Sequence, residues 1–356
     1  MDRVVDIATD GRHLSAHRGF LIVSEARSEV GRVALDDVAA VIVHAHGVTW
    51  TTSLAVALAE RGAPLVLCGA NHAPVGVVLP LDGHHGQNAR MRAQWEAGRP
   101  LAKQLWSRVV VAKIRWQAAA LEATGRERAA LDMLLRKVRS GDPDNIEAQA
   151  ARRYWPLLMG AGFRRDRDAP DINGLLNYGY TVMRSLLARA VVAAGLHPTI
   201  GIHHAHRGNA FALADDLVEP FRPLVDLLAL RLAARGQDTV TPATKRAFAA
   251  LIAADLPGPD GGLTTVSVAA QRLAQSLARA FESGEASVFV TPQPPSAIEL
   301  AGMALPEALV GVAEAASGPA GLAHAQAAAR DEAADDDDEC EDEDEREAPP
   351  SRGDAS

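Results

Sequence analysis

The spacing of apolar residues changes near residue 82, and this change constrains the fold more than any other feature of the sequence. Residues 1–82 hold short segments rich in Val, Ile and Leu, which Gly, Asp or Asn separates about every ten residues, as in a β-sheet or sandwich. From residue 89 onward, apolar residues recur at helical spacing. The polar segment at 83–88 suits a linker. The sequence therefore predicts an α+β protein, in which an N-terminal β-rich, sandwich-like domain precedes a larger all-α domain at 89–327.

Capping and stop signals predict where individual helices lie. One helix is expected inside the β-rich region, from Thr52 to Arg61, with Gly62 just past its end. A long helix is expected from Asn173, as its cap, to about Ala194, where Gly195 ends it. Further helices are predicted within 89–139, after Asp144, and at 209–235, 242–254 and 264–282.

The C-terminal residues carry most of the negative charge. Positions 331–356 contain 14 acids and two arginines, and residues 328–356 are predicted to form a disordered acidic tail because they cannot bury apolar surface. The whole chain has 45 acids and 36 Lys or Arg, a net charge of −9. Without positions 331–356, 31 acids and 34 bases remain, a net charge of +3. A mildly basic body permits a nucleic-acid partner without demonstrating one.

No segment has the roughly 18–20 consecutive apolar residues that a membrane-spanning helix needs. The first residues, MDRVVDIATDG, do not resemble a secretory signal, since an acid stands at position 2 and no long apolar run follows. The two cysteines, Cys68 and Cys340, indicate neither a disulfide framework nor a zinc site. We therefore expect a soluble cytoplasmic protein that makes no membrane contact.

Residues 195–226 contain the side chains best suited to chemistry. A histidine-rich loop leads into a predicted helix with three acids, and together they supply His203, His204, His206, Asp215, Asp216 and Glu219. Asp216 and Glu219 are three residues apart, so they share one helix face. Carboxylates suit Mg²⁺ and Mn²⁺, and an imidazole shifts the preference toward Mn²⁺. This spacing is consistent with a divalent-metal site.

Each of these residues also has a plain structural explanation. A histidine near a helix start often bonds only to backbone, and Asp215 and Asp216 fit a solvated helix face. The spacing Asp144–x–x–Glu147 resembles a capping box, which explains an acid at Glu147 without any metal. Spacing alone therefore leaves the metal site open, and it would not select Glu147.

Longer segments resemble the family of CRISPR-associated integrases, the catalytic subunits of the complex that acquires spacers. The similarity covers roughly residues 1–310, and the segments that carry it are HLSAHRGFLIV, APLVLCGANHAPVG, NIEAQAARRYW, NGLLNYGYTVMRSLLARAVVAAGLHPTIG and GIHHAHRGNAFALADDLVEPFRPLVD. The doubled histidine, and a Glu at the last ligand position, resemble the type II branch of this family.

The resemblance implies a metal site and a reaction. The implied ligands of Mg²⁺ or Mn²⁺ are Glu147, His204 and Glu219, where His204 is the second of the doubled pair, and Asp216 is an outer support or alternate ligand. The implied reaction is phosphoryl transfer, in which a DNA 3′-hydroxyl or water attacks a phosphodiester. The product of integration is a CRISPR array that has gained a short piece of foreign DNA.

The resemblance also implies partners. They are double-stranded DNA, a second copy of the chain that pairs through the β-rich domain at 1–82, and a smaller CRISPR-associated protein. Cations near a carboxylate metal site suit a phosphodiester substrate, so the residues expected to contact DNA are Arg152, Arg153, Arg207 and Arg222.

Two other functions remain open at this stage. An integrase-related metal nuclease that cuts branched or single-stranded DNA outside CRISPR would have an identical site. A non-catalytic scaffold that only binds DNA is the third alternative, and an intact Glu–His–Glu set argues against it.

Overall fold

The computed structural model describes residues 3–69, 74–81, 84, 86–166, 169, 171–204, 209–258 and 261–302. The N-terminal region contains strands β1 (Arg3–Ile7), β2 (Arg12–His17), β3 (Phe20–Glu25), β4 (Ser28–Ala34), β5 (Val38–Val43), β6 (Thr49–Trp50), β7 (Leu65–Cys68) and β8 (Pro74–Val78). Helix α1 (Thr52–Glu60) lies between β6 and β7. The predicted acidic tail, 328–356, lies outside the described residues.

The strands form two four-stranded sheets that share a core. One sheet has the order β1-β5-β7-β8 and the other has the order β4-β3-β2-β6. The central strand β5 runs parallel to both β1 and β7, and its residues are buried along its whole length. The core between the sheets includes Leu14, Leu21, Val41, Leu54 and Leu65. This arrangement confirms the β-rich, sandwich-like N-terminal region that the sequence predicted.

The rest of the described chain is mainly helical. The helices are α2 (Gln87–Trp95), α3 (Arg99–Ala123), α4 (Ala129–Leu135), α5 (Ile146–Met159), α6 (Ile172–Ala193), α7 (Ala212–Val218), α8 (Arg222–Ala233), α9 (Pro242–Leu251), α10 (Val266–Ser283) and α11 (Ala297–Gly302). A 3-10 turn, Glu219–Phe221, joins α7 to α8. Within the described ranges, none of the helices combines the length and apolarity that crossing a membrane requires.

The structure differs from the sequence prediction in two local features. Helix α6 is capped by the side chain of Asp171, which accepts a hydrogen bond from the backbone N–H of Asn173, so Asn173 is not the cap. A two-stranded hairpin, β9 (Asp255–Pro257) and β10 (Leu263–Thr265), interrupts the helices, so this region is not entirely α-helical. Gly261, which lies between the two strands in sequence, adopts φ of +76°, a conformation that glycine accepts at little cost.

The outer face of the β5 sheet packs directly on the helical region. Ile42 of β5 and Val66 of β7 belong to the same apolar core as α3 and α6. At the junction, Asp6 of β1 accepts a hydrogen bond from Lys245 of α9 at 3.1 Å and another from the Tyr178 hydroxyl of α6 at 3.3 Å. These contacts join α6 and α9 to the sheet.

Helix α6 crosses its neighbours closely at Gly179, and this contact predicts a stability effect. A Cβ atom there would lie 2.5 Å from Val225 Cγ1 and 2.7 Å from the Phe248 ring. We expect Gly179→Ala to lower the free energy of unfolding by about 1–3 kcal/mol through overpacking. Gly174→Ala on the same helix is the control, because its nearest neighbour would be 3.6 Å away. Urea denaturation gives the free energy of unfolding of both variants. Equal losses of this free energy in Gly179→Ala and Gly174→Ala would contradict the explanation by close packing.

Candidate metal centre

The start of α5 leaves the side chain of Glu147 available for chemistry. The carboxylate of Asp142 accepts hydrogen bonds from two backbone N–H groups of the first turn, each at 2.9 Å. The side chain of Asn145, the actual N-cap, accepts a third. Asp144 instead pairs with Arg139. The capping box expected from Asp144 and Glu147 is therefore wrong: two other residues satisfy this helix end, and Glu147 points elsewhere.

Glu147 and Glu219 converge on one buried ammonium group, that of Lys113 on α3. The Lys113 Nζ forms a short ion pair with Glu147 and lies 2.5 Å from Glu219 Oε2. Burial alone would lower the pKa of the Lys113 amine, but the charges of Glu219 and Glu147 outweigh burial and raise that pKa above its usual value. Lys113 is thus a cation shared by two acids from distant parts of the chain.

Glu219 is the more buried of the two acids. It lies in the 3-10 turn between α7 and α8, and its Oε1 accepts a hydrogen bond from Arg222 Nε at 2.8 Å. Burial would raise the pKa of this carboxyl, but Arg222 and Lys113 lower it to about 2. The Arg222 guanidinium also lies over the ring of Tyr180, 4.5 Å from its centroid. Arg222 therefore supports Glu219, and its contact with DNA stays a prediction.

Asp216 organises the loop that carries the histidines. Its carboxylate is fully buried and accepts hydrogen bonds from the backbone N–H groups of Ile202, His203 and His204. It also lies 2.7 Å from Nδ1 of His204, which is a hydrogen-bonding distance. A carboxylate at Nδ1 fixes the ring orientation and leaves Nε2 free to bind a metal, as outer carboxylates do for metal-binding histidines.

The two adjacent histidines have different surroundings. The ring of His203 stacks flat on Trp106 of α3, with 4.2 Å between centroids and 5° between planes, and burial lowers the pKa of its imidazole. His204 meets the same indole edge-on at 5.9 Å. His203 is therefore a packing residue in this geometry, whereas His204 has the oriented ring of a ligand. His206 and Arg207 lie outside the described residues.

The residues present fit a divalent cation in part. The oxygen and imidazole donors are those that Mg²⁺ and Mn²⁺ accept, and the Lys113 ammonium marks a place where both carboxylates already share a cation. Among the residues that the structure describes, no three His, Cys, Asp or Glu side chains stand close enough together to hold a metal ion. The structure thus brings Glu147 and Glu219 together at Lys113, and the charge of Glu219 helps to raise the pKa of His204, but the described residues do not close a three-ligand cluster.

A polar cleft of about 320 Å³ opens beside His204. Its lining includes three guanidinium groups, from Arg165, Arg184 and Arg222, together with Tyr180. Guanidinium groups suit a phosphate-bearing ligand, although Asp215, which pairs with Arg184, also lines this cleft. The predicted DNA contacts Arg152 and Arg153 are exposed on α5. Lys113, Arg165 and Arg184 could not be predicted as part of the site, because many basic residues lie on predicted helices and the neighbouring sequence does not distinguish these three.

The Asp216–His204 contact predicts a measurable change in proton affinity. The hydrogen bond to Asp216 raises the pKa of the His204 imidazole against the effect of burial. We expect Asp216→Asn to lower that pKa, and to lower the free energy of unfolding by about 1–3 kcal/mol because a buried network loses its charge. Asp215→Asn is the comparison variant: Asp215 pairs with Arg184 and acts on His204 only through its charge, so it should lower the pKa of His204 less than Asp216→Asn does. NMR titration of the His204 ring tests this, and an unchanged pKa in Asp216→Asn would refute it.

A β-rich region packed on a helical region is the fold that the resemblance to CRISPR-associated integrases led us to expect. The chain belongs to the CRISPR associated protein Cas1 family, whose model matches residues 5–251. Glu147, His204 and Glu219 all lie within the matched range. Their roles as metal ligands stay a prediction.

Comparison with known proteins supports this assignment. The chain is 39% identical over 241 residues to the CRISPR-associated endonuclease Cas1 of Neisseria meningitidis, covering 67% of this chain and 79% of that protein. The fold resembles a casposase bound to integration product, with a TM-score of 0.67, 19% identity and coverage of 80% and 91% of the two chains. It also resembles a chain of a Cas6-RT-Cas1–Cas2 complex, with a TM-score of 0.65, 20% identity and coverage of 83% and 36%.

Proposed function

We propose that this chain is a divalent-metal-dependent DNA endonuclease and integrase that inserts short DNA fragments into a CRISPR array. The observation that carries the proposal is the convergence of Glu147 and Glu219 on one buried cation, and the His204 ring that Asp216 orients supports it. Family membership supports it, since the Neisseria relative is named a CRISPR-associated endonuclease. The casposase with the same fold is described as bound to integration product, which supports strand joining as the reaction.

In this proposal, Glu147, His204 and Glu219 hold Mg²⁺ or Mn²⁺. The ion, when bound, polarises a phosphodiester oxygen and neutralises charge in the transition state. Asp216 keeps the His204 ring oriented throughout. Glu147, whose side chain is 26% exposed against 8% for Glu219, is the acid better placed to take the proton of an attacking 3′-hydroxyl.

The surroundings of the site suit a DNA strand. The cleft lined by Arg165, Arg184 and Arg222 adjoins His204, so a phosphate entering it would lie beside the proposed ligands. Arg152 and Arg153, which are exposed on α5, add further positive charge to the surface of the chain. Their positive charge would offset the repulsion between the DNA backbone and the acids.

We further propose that the working unit contains two copies of this chain and a smaller CRISPR-associated protein. Joining both ends of a short duplex requires two sites at a fixed separation, which one chain does not supply. The structural neighbour described as a Cas6-RT-Cas1–Cas2 complex supports a partner of the Cas2 kind.

An integration assay tests this function. The chain, together with a small partner of the Cas2 kind, is mixed with a labelled short duplex and a repeat-containing plasmid, in Mg²⁺, in Mn²⁺ or in EDTA. We expect labelled plasmid in both ions and none in EDTA. Cutting of branched or single-stranded DNA without joining would favour the nuclease alternative. Binding without any metal-dependent reaction would favour the scaffold.

A further inference from the structure

The ammonium group of Lys113 contacts both Glu147 and Glu219, the two acids that the proposed function makes ligands of a metal ion. We propose that Lys113 is an internal counter-ion, which holds Glu147 and Glu219 together in the ion-free protein and must move away when a divalent ion binds. The inference rests on the proposed metal site, and it adds a residue that tunes how tightly this site binds its ion.

Charge balance in the site supports this role. Glu219 has its own partner, because Arg222 donates to Oε1 and stacks on Tyr180. Lys113 is the group that contacts both Glu219 and Glu147, and its side chain is only 11% exposed. Two carboxylates this close in a buried site would repel each other strongly without a cation between them. Lys113 therefore supplies a positive charge that offsets the repulsion between the two acids before an ion arrives.

The position of Lys113 on α3 makes it a lasting part of the site. The helix is buried along this stretch, where Val109, Val110, Ile114 and Trp116 belong to the main apolar core. The backbone of Lys113 is thus fixed, while its four-carbon stem has rotatable bonds that let the ammonium move. A fixed backbone with a movable charge allows the ammonium to leave the acids without any change of fold.

A divalent ion and the ammonium compete for the same two carboxylates. Both cannot lie between Glu147 and Glu219, since cations at such short separation repel strongly in a buried site. Binding of the ion therefore includes the free energy of breaking the Lys113 ion pairs. Removing the ammonium should make the ion bind more tightly, although it makes the ion-free protein less stable.

Direct measurement of Mn²⁺ binding without DNA tests this competition. Titration calorimetry or the EPR signal of free Mn²⁺ gives the dissociation constant for the wild type, Lys113→Met and Lys113→Gln. We expect the two variants to bind Mn²⁺ at least about tenfold more tightly, which corresponds to about 1.4 kcal/mol. Saturating Mn²⁺ should also raise the melting temperature of each variant more than that of the wild type.

The matched control is Lys245→Met, which removes another buried lysine paired with a carboxylate, Asp6, at the junction with the sheet. Its Mn²⁺ affinity should equal that of the wild type. Suppose that the wild type binds Mn²⁺ and that Glu219→Gln abolishes this binding. If both Lys113 variants then bind Mn²⁺ no more tightly than the wild type, the counter-ion role is overturned and the metal site is not. A wild type that binds no Mn²⁺ would overturn the proposed metal site, and the counter-ion role with it.

Discussion

His204→Ala is expected to abolish DNA integration, whereas His203→Ala is expected to leave most of the activity. The Nδ1 of His204 bonds to the buried carboxylate of Asp216, so its other nitrogen can bind the metal. Losing a metal ligand removes several kcal/mol of transition-state stabilisation, and we expect a rate loss of about a thousandfold or more. His203 stacks on Trp106, and its loss should cost less than about tenfold through loosened packing.

The comparison of the two histidines uses initial rates of joining in Mn²⁺. The variants differ by one position in the same loop, so a general disturbance of the loop would affect both. Glu147→Gln, which keeps the size of the side chain and removes its charge, should match the loss in His204→Ala. Equal losses in His203→Ala and His204→Ala, or full activity in His204→Ala, would contradict the assignment.

Glu219→Ala is expected to destabilise the fold by about 3–5 kcal/mol, because it removes a buried carboxylate that pairs with two cations. Lys113 and Arg222 both pair with Glu219, which is itself buried. Glu147→Ala should lower the free energy of unfolding by less than Glu219→Ala does, since Glu147 is more exposed and, of these two cations, pairs only with Lys113. Urea denaturation of the ion-free protein gives both free energies of unfolding.

A double-mutant cycle separates this effect from loss of packing. Lys113→Met combined with Glu219→Ala should destabilise the fold by less than the sum of the two single changes, because the Lys113–Glu219 ion pair is lost only once. We expect a coupling energy of about 1–3 kcal/mol between the two positions. Strict additivity would mean that the Lys113–Glu219 ion pair makes no contribution to the stability of the fold.

Much of the fold could be predicted because it follows from local patterns. The helix expected at Thr52–Arg61 is observed at Thr52–Glu60, and the long helix expected from Asn173 to Ala194 is observed at Ile172–Ala193. The predicted N-cap of the long helix was wrong by two positions. Both Asp171 and Asn173 are residue types that suit an N-cap, and only the loop geometry decides between them. Asn173 instead accepts a hydrogen bond from the Asp166 backbone.

The site was harder to predict, because its contacts join distant parts of the chain. Glu147 has the local pattern of a helix cap, and only the family resemblance made it a ligand. The structure shows why local reasoning failed there: Asp142 and Asn145 adopt φ of +48° and perform the capping themselves. Lys113 had no local signal, since its partners come from α5 and the turn before α8.

The most direct measurement of the central claim is strand joining by the wild-type chain with two substrates that differ in one atom. One duplex ends in a 3′-hydroxyl and the other in a 3′-deoxy group, and each is mixed with the repeat-containing plasmid and the small partner in Mn²⁺. We expect joined product only from the 3′-hydroxyl duplex. In EDTA, or when His204→Ala replaces the wild type, we expect no joined product from either duplex. Joining of the 3′-deoxy duplex, joining in EDTA, or no joining of either duplex by the wild type in Mn²⁺ would contradict the proposed function.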